Sequence, residues 1–171
     1  RAYYVDQITA IEGVGSCKVN RVSAAGGTIS AVIIASDYTV PAATLVQSVQ
    51  NSVDPNSGDG EGIAPICAKV AVSAISAIML NISGTLTLAS GISYADIKTA
   101  VETAIDKCLT EINKTWASTD TNLVVRLSQI ELALIGVEQI TDVQDLKINN
   151  SVSNCELLEN VIAKRGDLTW S

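Results

Sequence analysis

The most regular hydrophobic pattern in the chain begins at Ser93 and continues to Ile112. Apolar residues recur there at three- and four-residue spacing, and charged residues occupy other positions. This period is typical of an amphipathic α-helix with one buried stripe and one solvated face. Asp96 lies three residues after Ser93, so its carboxylate can reach back to the start of the helix and form a capping box. The pattern therefore predicts a well-capped helix.

The same spacing resumes after a polar run over 117–122 and predicts a second, shorter helix that ends at Ile135. Gly136 follows the last apolar turn, where a residue with positive φ can close a helix without steric cost. Apolar residues from Ile140 to Ile148 are then separated by pairs of polar residues. This arrangement predicts one or two half-buried strands.

The N-terminal part shows both kinds of pattern, in the order helix, strand, strand, helix. Alternating apolar and polar residues predict a hairpin, and helical spacing after a proline predicts the final helix. The predicted elements are a helix over 5–11 that stops near Gly13, strands over 17–22 and 28–34, a turn over 24–27 and a helix from Pro41 to Val53.

A polar stretch over 54–62 is the clearest break in the chain, because four of its nine residues are glycine or proline. We therefore predict an N-terminally incomplete domain over 1–57, a glycine-rich hinge over 58–63 and a C-terminal domain over 64–171.

Beyond the break, apolar runs predict strands over 66–72 and 75–88, with a bulge near Gly84. A last strand is predicted over 160–170, interrupted by a turn at Lys164-Arg165. Helices set against short antiparallel sheets define the α+β class. The predicted fold is α+β, with two small domains that each pack helices on a short, mainly antiparallel sheet.

A repeated step supports this division. Gly13-Val14 and Gly136-Val137 each lead from a predicted helix into a predicted strand. The two halves of the chain therefore share a weak internal sequence similarity.

Composition narrows the chemistry that the chain can perform. Hydrophobic residues make up 47% of its 171 residues, which is enough to fill a core. The formal net charge is −7 and no basic cluster is present to neutralise phosphates, so we predict no nucleic-acid partner. Histidine is absent, which excludes imidazole-activated nucleophiles and histidine ligands for zinc.

The four cysteines lie far apart, without the C-x-x-C spacing of a zinc or redox site. Cys17, Cys67, Cys108 and Cys155 are predicted to act as small hydrophobic residues in a protein synthesised in the reducing cytoplasm. The apolar segment over 63–80 contains a proline and a lysine and suits buried strands, so no membrane partner is expected. Because the chain begins with arginine and has no signal peptide, we expect it to be part of a longer protein.

Two carboxylate pairs are candidates for acid/base chemistry, Asp96 with Glu102 and Asp142 with Asp145. The charges on the helix are interpreted as a solvated face instead, because no pair has a recognisable spacing. We predict no catalytic, cofactor-binding or metal-binding residue, no cofactor and no small-molecule substrate.

Two further sets of residues could bind a ligand. Asp54, Asp59 and Glu61 lack the order of an EF-hand calcium loop, so a hinge is favoured over a metal site. Trp116 and Trp170 could serve a carbohydrate-binding surface, but a place at the edge of the core or in a subunit contact is favoured.

Several blocks of the chain, in a fixed order, carry a resemblance to a known family. The blocks are Ile11-Glu12-Gly13-Val14, the junction from Gly60 to Ile66, Val70-Ala71-Val72, Thr85-Leu86-Thr87-Leu88, the helix from Ser93 to Ile112, and the stretch from Ile135 to Asp142. Together they resemble the C-terminal half of baseplate J-like proteins, the baseplate wedge proteins of contractile phage tails, and in particular the PBSX-type prophage and Mu-like branch.

The resemblance implies a structural subunit of a contractile phage, prophage or tailocin baseplate, which acts in wedge assembly and tail contraction. Its implied partners are other baseplate wedge and hub subunits, its implied location is the virion tail baseplate, and no catalytic residue carries over. The alternatives are a carbohydrate- or receptor-binding tail module, which usually offers exposed aromatic residues, and a carboxylate-dependent hydrolase. The hydrolase requires acidic side chains that converge in an apolar cleft with raised pKa values.

Overall fold

The computed structural model describes residues 1–22 and 27–171. The chain forms two units, Arg1–Ser76 and Ala77–Ser171. The first unit contains α1 (Ala2–Thr9), β1 (Val14–Arg21), β2 (Thr28–Ala35), α2 (Ala43–Val53) and β3 (Lys69–Ala74). The predicted helix–strand–strand–helix order is confirmed, and residues 24–26 of the predicted turn lie outside the described residues.

The sheet of the first unit has the strand order β1-β2-β3 and combines both kinds of pairing. β1 and β2 form the predicted antiparallel hairpin, with Cys17 opposite Ile33. β2 and β3 are parallel, with Ile29 opposite Val70. Parallel neighbours need a long crossover connection, which α2 and the segment after it supply. The buried core of this unit consists of Ile8, Val14, Cys17, Val19, Ala31, Ile33, Val49, Val53, Ala64 and Val70.

The glycine-rich segment is part of this crossover and lies inside the first unit. Asp54 is buried at the end of α2, and its carboxylate accepts hydrogen bonds from the backbone N–H groups of Gly58 at 3.0 Å and Val70 at 2.8 Å. The division between the units falls after Ser76, whereas the sequence pattern placed it at a hinge over 58–63. The difference has a physical reason, since β3 belongs with the sheet that it pairs with.

The second unit contains the remaining elements. They are β4 (Ser76–Leu88), which starts at the last residue of the first unit, α3 (Tyr94–Lys114), a 3-10 turn (Trp116–Ser118), β5 (Val124–Val125), α4 (Leu127–Ile135), β6 (Ile140–Ile148), β7 (Cys155–Glu156) and β8 (Val161–Trp170). Its main sheet has the order β6-β4-β8, and β5 pairs with β7. The register of β4 against β6 shifts between Ser83 and Thr85, at the predicted bulge. The predicted α+β class with mainly antiparallel sheets is confirmed.

α3 confirms the predicted amphipathic helix and its start. The Asp96 carboxylate accepts hydrogen bonds from the Ser93 hydroxyl at 2.6 Å and from the Ser93 backbone N–H at 2.9 Å. Both bonds lower the pKa of the Asp96 carboxyl, and the bond from the hydroxyl has the larger effect. The buried stripe of α3 consists of Ile97, Val101, Ile105, Leu109 and Ile112, followed by Asn113.

Two local predictions are wrong. Gly136 has φ −67° and ψ −10°, so it ends α4 in the right-handed region that any residue can adopt, and not with a positive φ. Lys164 and Arg165 lie inside β8 and not in a turn. The Arg165 guanidinium bonds the Asp106 carboxylate of α3 at 2.7 and 3.1 Å, so the charged strand residue has a partner on the neighbouring helix.

Candidate functional site

Large apolar side chains are exposed in both units. Ile66 of the first unit is 74% exposed, and Leu132 of the second unit is 73% exposed. Leu132 and Ile135 lie one turn apart on α4, so their side chains are neighbours on its surface. Neighbouring exposed apolar side chains, such as this pair on α4, suit contact with another protein.

An open groove of ≈ 550 Å³ lies between α3 and α4 in the second unit. Cys108 and Ile112 of α3 and Leu132 of α4 contribute apolar lining, and Lys107 and Glu111 contribute one charge of each sign. A groove with this lining can accept apolar groups of another molecule.

The first pair of candidate carboxylates is not arranged for acid/base chemistry. Asp96 is exposed and holds Ser93, and its pKa is lowered, which is opposite to the shift that a general acid needs. Glu102 lies 3.7 Å from the Arg165 guanidinium and 4.0 Å from the Lys98 ammonium group. Both carboxylates therefore serve the capping and the ion pairs of α3.

The second pair, on β6, serves the local structure of that strand. Asp142 is exposed and accepts hydrogen bonds from the Val143 backbone N–H at 2.9 Å and the Gln144 side-chain amide at 2.7 Å. Asp145 is also exposed and has a φ of 52°. Neither carboxylate is enclosed by apolar side chains, so the pair does not form the cleft that a hydrolase requires.

The cysteines are all free thiols, and burial sets their properties. Burial raises the pKa of the Cys17 thiol to about 11, and it also raises the pKa of the half-buried Cys108 and Cys155. The prediction of small hydrophobic residues fits Cys17 and is wrong for Cys67, which is exposed. Within the described residues, no three His, Cys, Asp or Glu side chains are grouped so that they could hold a metal ion.

The two tryptophans belong to the second unit. Trp116 is buried in its core, in agreement with the predicted structural place, and Trp170 is half-buried. Across residues 1–22 and 27–171, no helix has both the length and the apolar character needed to span a bilayer.

Three polar side chains are bonded to the backbone of edge strands, namely Gln50, the buried Asp54 and the buried Asn113. The sequence pattern singled out Asp54 as a possible calcium ligand and did not single out the other two. A signal for two of them exists in the sequence. Gln50 follows Val46 by four positions and Asn113 follows Leu109 by four, so each amide occupies a place on an apolar stripe where it needs a partner.

Two sequence families match the chain, one after the other. The baseplate J-like central domain matches residues 1–74, and the baseplate J-like protein C-terminal domain matches residues 65–171. Their overlap contains β3, the strand that closes the sheet of the first unit.

Two curated relatives come from Bacillus subtilis (strain 168). The uncharacterized protein YqbT is 29% identical over 168 residues, and the phage-like element PBSX protein XkdT is 27% identical over 168 residues. Each match covers 98% of this chain and 47% of the relative. The chain thus spans about half the length of the curated relatives that it matches.

A solved structure shares the architecture. A chain in the cryo-EM structure of the anti-feeding prophage (AFP) baseplate, 6-fold symmetrised, superposes with a TM-score of 0.55, over 96% of this chain and 36% of that one. The sequence identity is 8%, so this likeness concerns the fold alone.

Proposed function

Because this chain belongs to the family of baseplate J-like proteins, we propose that it is a structural subunit of a contractile phage, prophage or tailocin tail baseplate. The observation that carries the proposal is the extent of the family matches, which reach residues of both units. In this proposal the protein acts in wedge assembly and in tail contraction, and it does so through protein–protein contacts.

The surface chemistry supports a role in contacts. Ile66, Leu132 and Ile135 offer apolar groups that gain stability when another protein covers them. The net charge of −7 favours partner surfaces that are neutral or basic over nucleic acid. Other baseplate wedge and hub subunits are the partners that we propose, at the virion tail baseplate, after synthesis in the bacterial cytoplasm.

A non-enzymatic role is part of the proposal. Asp96 and Glu102 are engaged in capping and ion pairs, and Asp142 supports its own strand. These engagements assign the carboxylates to local structure, whereas acid/base catalysis needs a poised group beside a bound substrate.

Co-expression tests the proposed function. The full-length protein is produced with the other baseplate subunits encoded beside it, purified through a tag on one of them, and sized by light scattering. We expect it to co-elute in a complex. Recovery of every subunit separately, with all of them folded, would remove the main support for the proposal.

Surface variants then assign the contact to a unit. Ile66→Asp changes the first unit and Leu132→Asp changes the second, and both positions are exposed enough to accept a carboxylate without unfolding. Glu131→Gln, next to Leu132 on α4, is the matched control. We expect one of the two apolar substitutions to weaken co-elution, while the control leaves it unchanged.

A further inference from the structure

In the first unit, side chains of α2 bind the backbone of the edge strand β3. The Gln50 side-chain amide donates to the Val70 carbonyl at 2.9 Å and accepts from the Val72 N–H at 2.8 Å. The Asp54 carboxylate accepts from the Val70 N–H at 2.8 Å. Both polar groups of Val70 and the N–H of Val72 are therefore satisfied by side chains.

These backbone groups point away from the sheet. β3 is the last strand in the order β1-β2-β3, and the Lys69 N–H donates to the Gly27 carbonyl next to the start of β2. Successive residues of a strand direct their backbone groups to opposite sides. The groups of Val70 and Val72 are thus the ones that a further strand would use.

The second unit contains the same arrangement on an edge strand of its own sheet. β8 is the last strand in the order β6-β4-β8. Asn113 of α3 donates to the Ala163 carbonyl at 2.9 Å and accepts from the Ala163 N–H at 3.0 Å. Asn113 is only 5% exposed, so this amide has been withdrawn from water to bind the strand.

A side-chain amide carries the same donor and acceptor as a peptide group, so it can take the place of a neighbouring strand. Uncovered strand edges pair with other chains, and every copy of a protein presents the same edge, which allows two copies to pair around a two-fold axis. We infer that Gln50, Asp54 and Asn113 act as edge guards, which keep β3 and β8 from pairing with a second copy of this chain. The inference concerns self-association and goes beyond the proposed baseplate role.

The first test uses two glutamines of α2. Gln50→Ala frees the Val70 carbonyl and the Val72 N–H, while Asp54 still holds the Val70 N–H. Gln47→Ala is the matched control, because Gln47 is exposed and its amide bonds the Asn51 side chain. Sedimentation of the 171-residue chain is measured over a range of concentrations, with circular dichroism as the check on folding. We expect Gln50→Ala to shift from 17.8 kDa towards twice that mass, and Gln47→Ala to stay with the parent protein.

Strand pairing and non-specific association are separated by a second substitution. Val72→Pro in the Gln50→Ala background deletes the outward N–H, and proline is tolerated on an edge strand where the N–H faces outward. We expect the double variant to return to the monomer mass. Association that persists in the double variant, or a folded Gln50→Ala protein that remains monomeric, would overturn the inference for β3.

Amide hydrogen exchange tests both edges and does not depend on an association assay. In the parent protein the Val72 and Ala163 amides are expected to exchange as slowly as amides inside the sheets. Asn113→Ala should speed exchange at Ala163 by about tenfold, because one net hydrogen bond is lost, whereas Thr110→Ala, a half-buried position one turn earlier whose hydroxyl bonds the Asp106 carbonyl, should not. Should a variant fail to fold, the parent measurement still decides, since fast exchange at Val72 and Ala163 contradicts the proposed guarding.

Discussion

Each unit passes from a helix to a strand through a Gly-Val step, and the two steps are built differently. In the first unit α1 ends at Thr9, and Gly13, with a φ of 90°, is the residue immediately before β1. In the second unit the right-handed Gly136 directly follows α4, and β6 begins only at Ile140. The same pair of residues therefore ends the connection with a left-handed glycine in one unit and starts it with a right-handed glycine in the other.

One guard of the first unit, Asp54, differs from the guard of the second unit in a comparable way. The buried Asp54 carboxylate accepts hydrogen bonds from two backbone N–H groups, those of Gly58 and Val70. In the second unit, Asn113 faces one donor and one acceptor of Ala163, so a neutral amide is the matching group. The difference teaches that the direction of the backbone groups, and not burial alone, decides whether a carboxylate or an amide fits.

The largest effect on stability is expected when Asn113 of the second unit is replaced by a carboxylate, the kind of group that Asp54 provides in the first unit. Asn113→Asp places a carboxylate against the Ala163 carbonyl, and this unpaired buried charge should lower the free energy of unfolding by about 3 kcal/mol at neutral pH. Burial and the facing carbonyl raise the pKa of the new carboxyl above its unfolded value. The loss should therefore be smallest in acid and grow as pH rises through the folded-state pKa.

Urea unfolding of the Asn113→Asp variant at about pH 4 and about pH 7 measures this dependence. Asn51→Asp, an exposed position on α2, is the control and should change stability by less than about 0.5 kcal/mol. A stability of Asn113→Asp equal to that of the parent protein at both pH values would show that the amide is not required.

The second effect concerns the crossover of the first unit. Asp54→Ala leaves the N–H groups of Gly58 and Val70 without their acceptor, which should cost about 2 kcal/mol. The glycine-rich segment should then open, and limited proteolysis should cut within 58–63 several times faster than in the parent protein. Asp59→Ala, an exposed carboxylate in the same segment, is the matched control.

This experiment also tests the hinge that the composition of 58–63 predicts. If the parent protein is already cut there as fast as the Asp54→Ala variant, the bonds of Asp54 do not hold the segment. The hinge prediction would then stand in its original form.

The third effect tests the two Gly-Val steps. Gly13→Ala forces a side chain into the left-handed region and brings its Cβ to 3.2 Å from Leu45 Cδ1, so it should cost about 1.5 kcal/mol. Gly136→Ala keeps an ordinary backbone conformation, and its Cβ lies 3.3 and 3.4 Å from the carbonyl oxygens of Ala133 and Leu132. The better helix propensity of alanine offsets this tight contact, so the free energy of unfolding should change by less than about 1 kcal/mol. Thermal unfolding of both variants measures the difference, and equal losses would contradict the assigned conformations.

Local features of the fold could be predicted from the sequence because their signals lie within a few residues. The capping of α3 by Ser93 and Asp96 is one example, and the hairpin of β1 and β2 is another. The pairing of β2 with β3 could not be predicted in this way, since it joins strands that are separated by a helix and a polar segment. The place of β3 in the sheet depends on the second edge of β2 being open, and no local sequence pattern encodes that.

The candidate site shows the same limit. The sequence led to carboxylates such as Asp142, whose charge marks them, but their spatial neighbours turned out to be local ones. Gln50 and Asn113 carry no such mark, because in the sequence an uncharged amide on an apolar stripe cannot be told from a simple interruption of that stripe. Only the position of the edge strand beside each helix reveals what the amide binds.

The smallest expected effect concerns the N-terminal ends of two helices, α3 in the second unit and α2 in the first. The start of α3 carries the bonds between Ser93 and Asp96, whereas the N-cap residue of α2 is Ala42, which provides no side-chain cap. Because the folded-state pKa of Asp96 lies below its ordinary value of 3.8, its cap stabilises the second unit above that pH. The contribution is lost as pH falls through the folded-state pKa.

Asp96→Asn removes this dependence, so the stability difference from the parent protein should be constant near neutrality and should shrink as pH falls below 3.8. Urea midpoints between about pH 6 and about pH 3 measure it, with Asp120→Asn, an exposed carboxylate of the same unit, as the control. A difference that persists unchanged at the acid end would mean that the charge of Asp96 does not act through the cap. In that case the start of α3 would depend on helix packing alone, as the start of α2 does, and the two units would be alike in this respect.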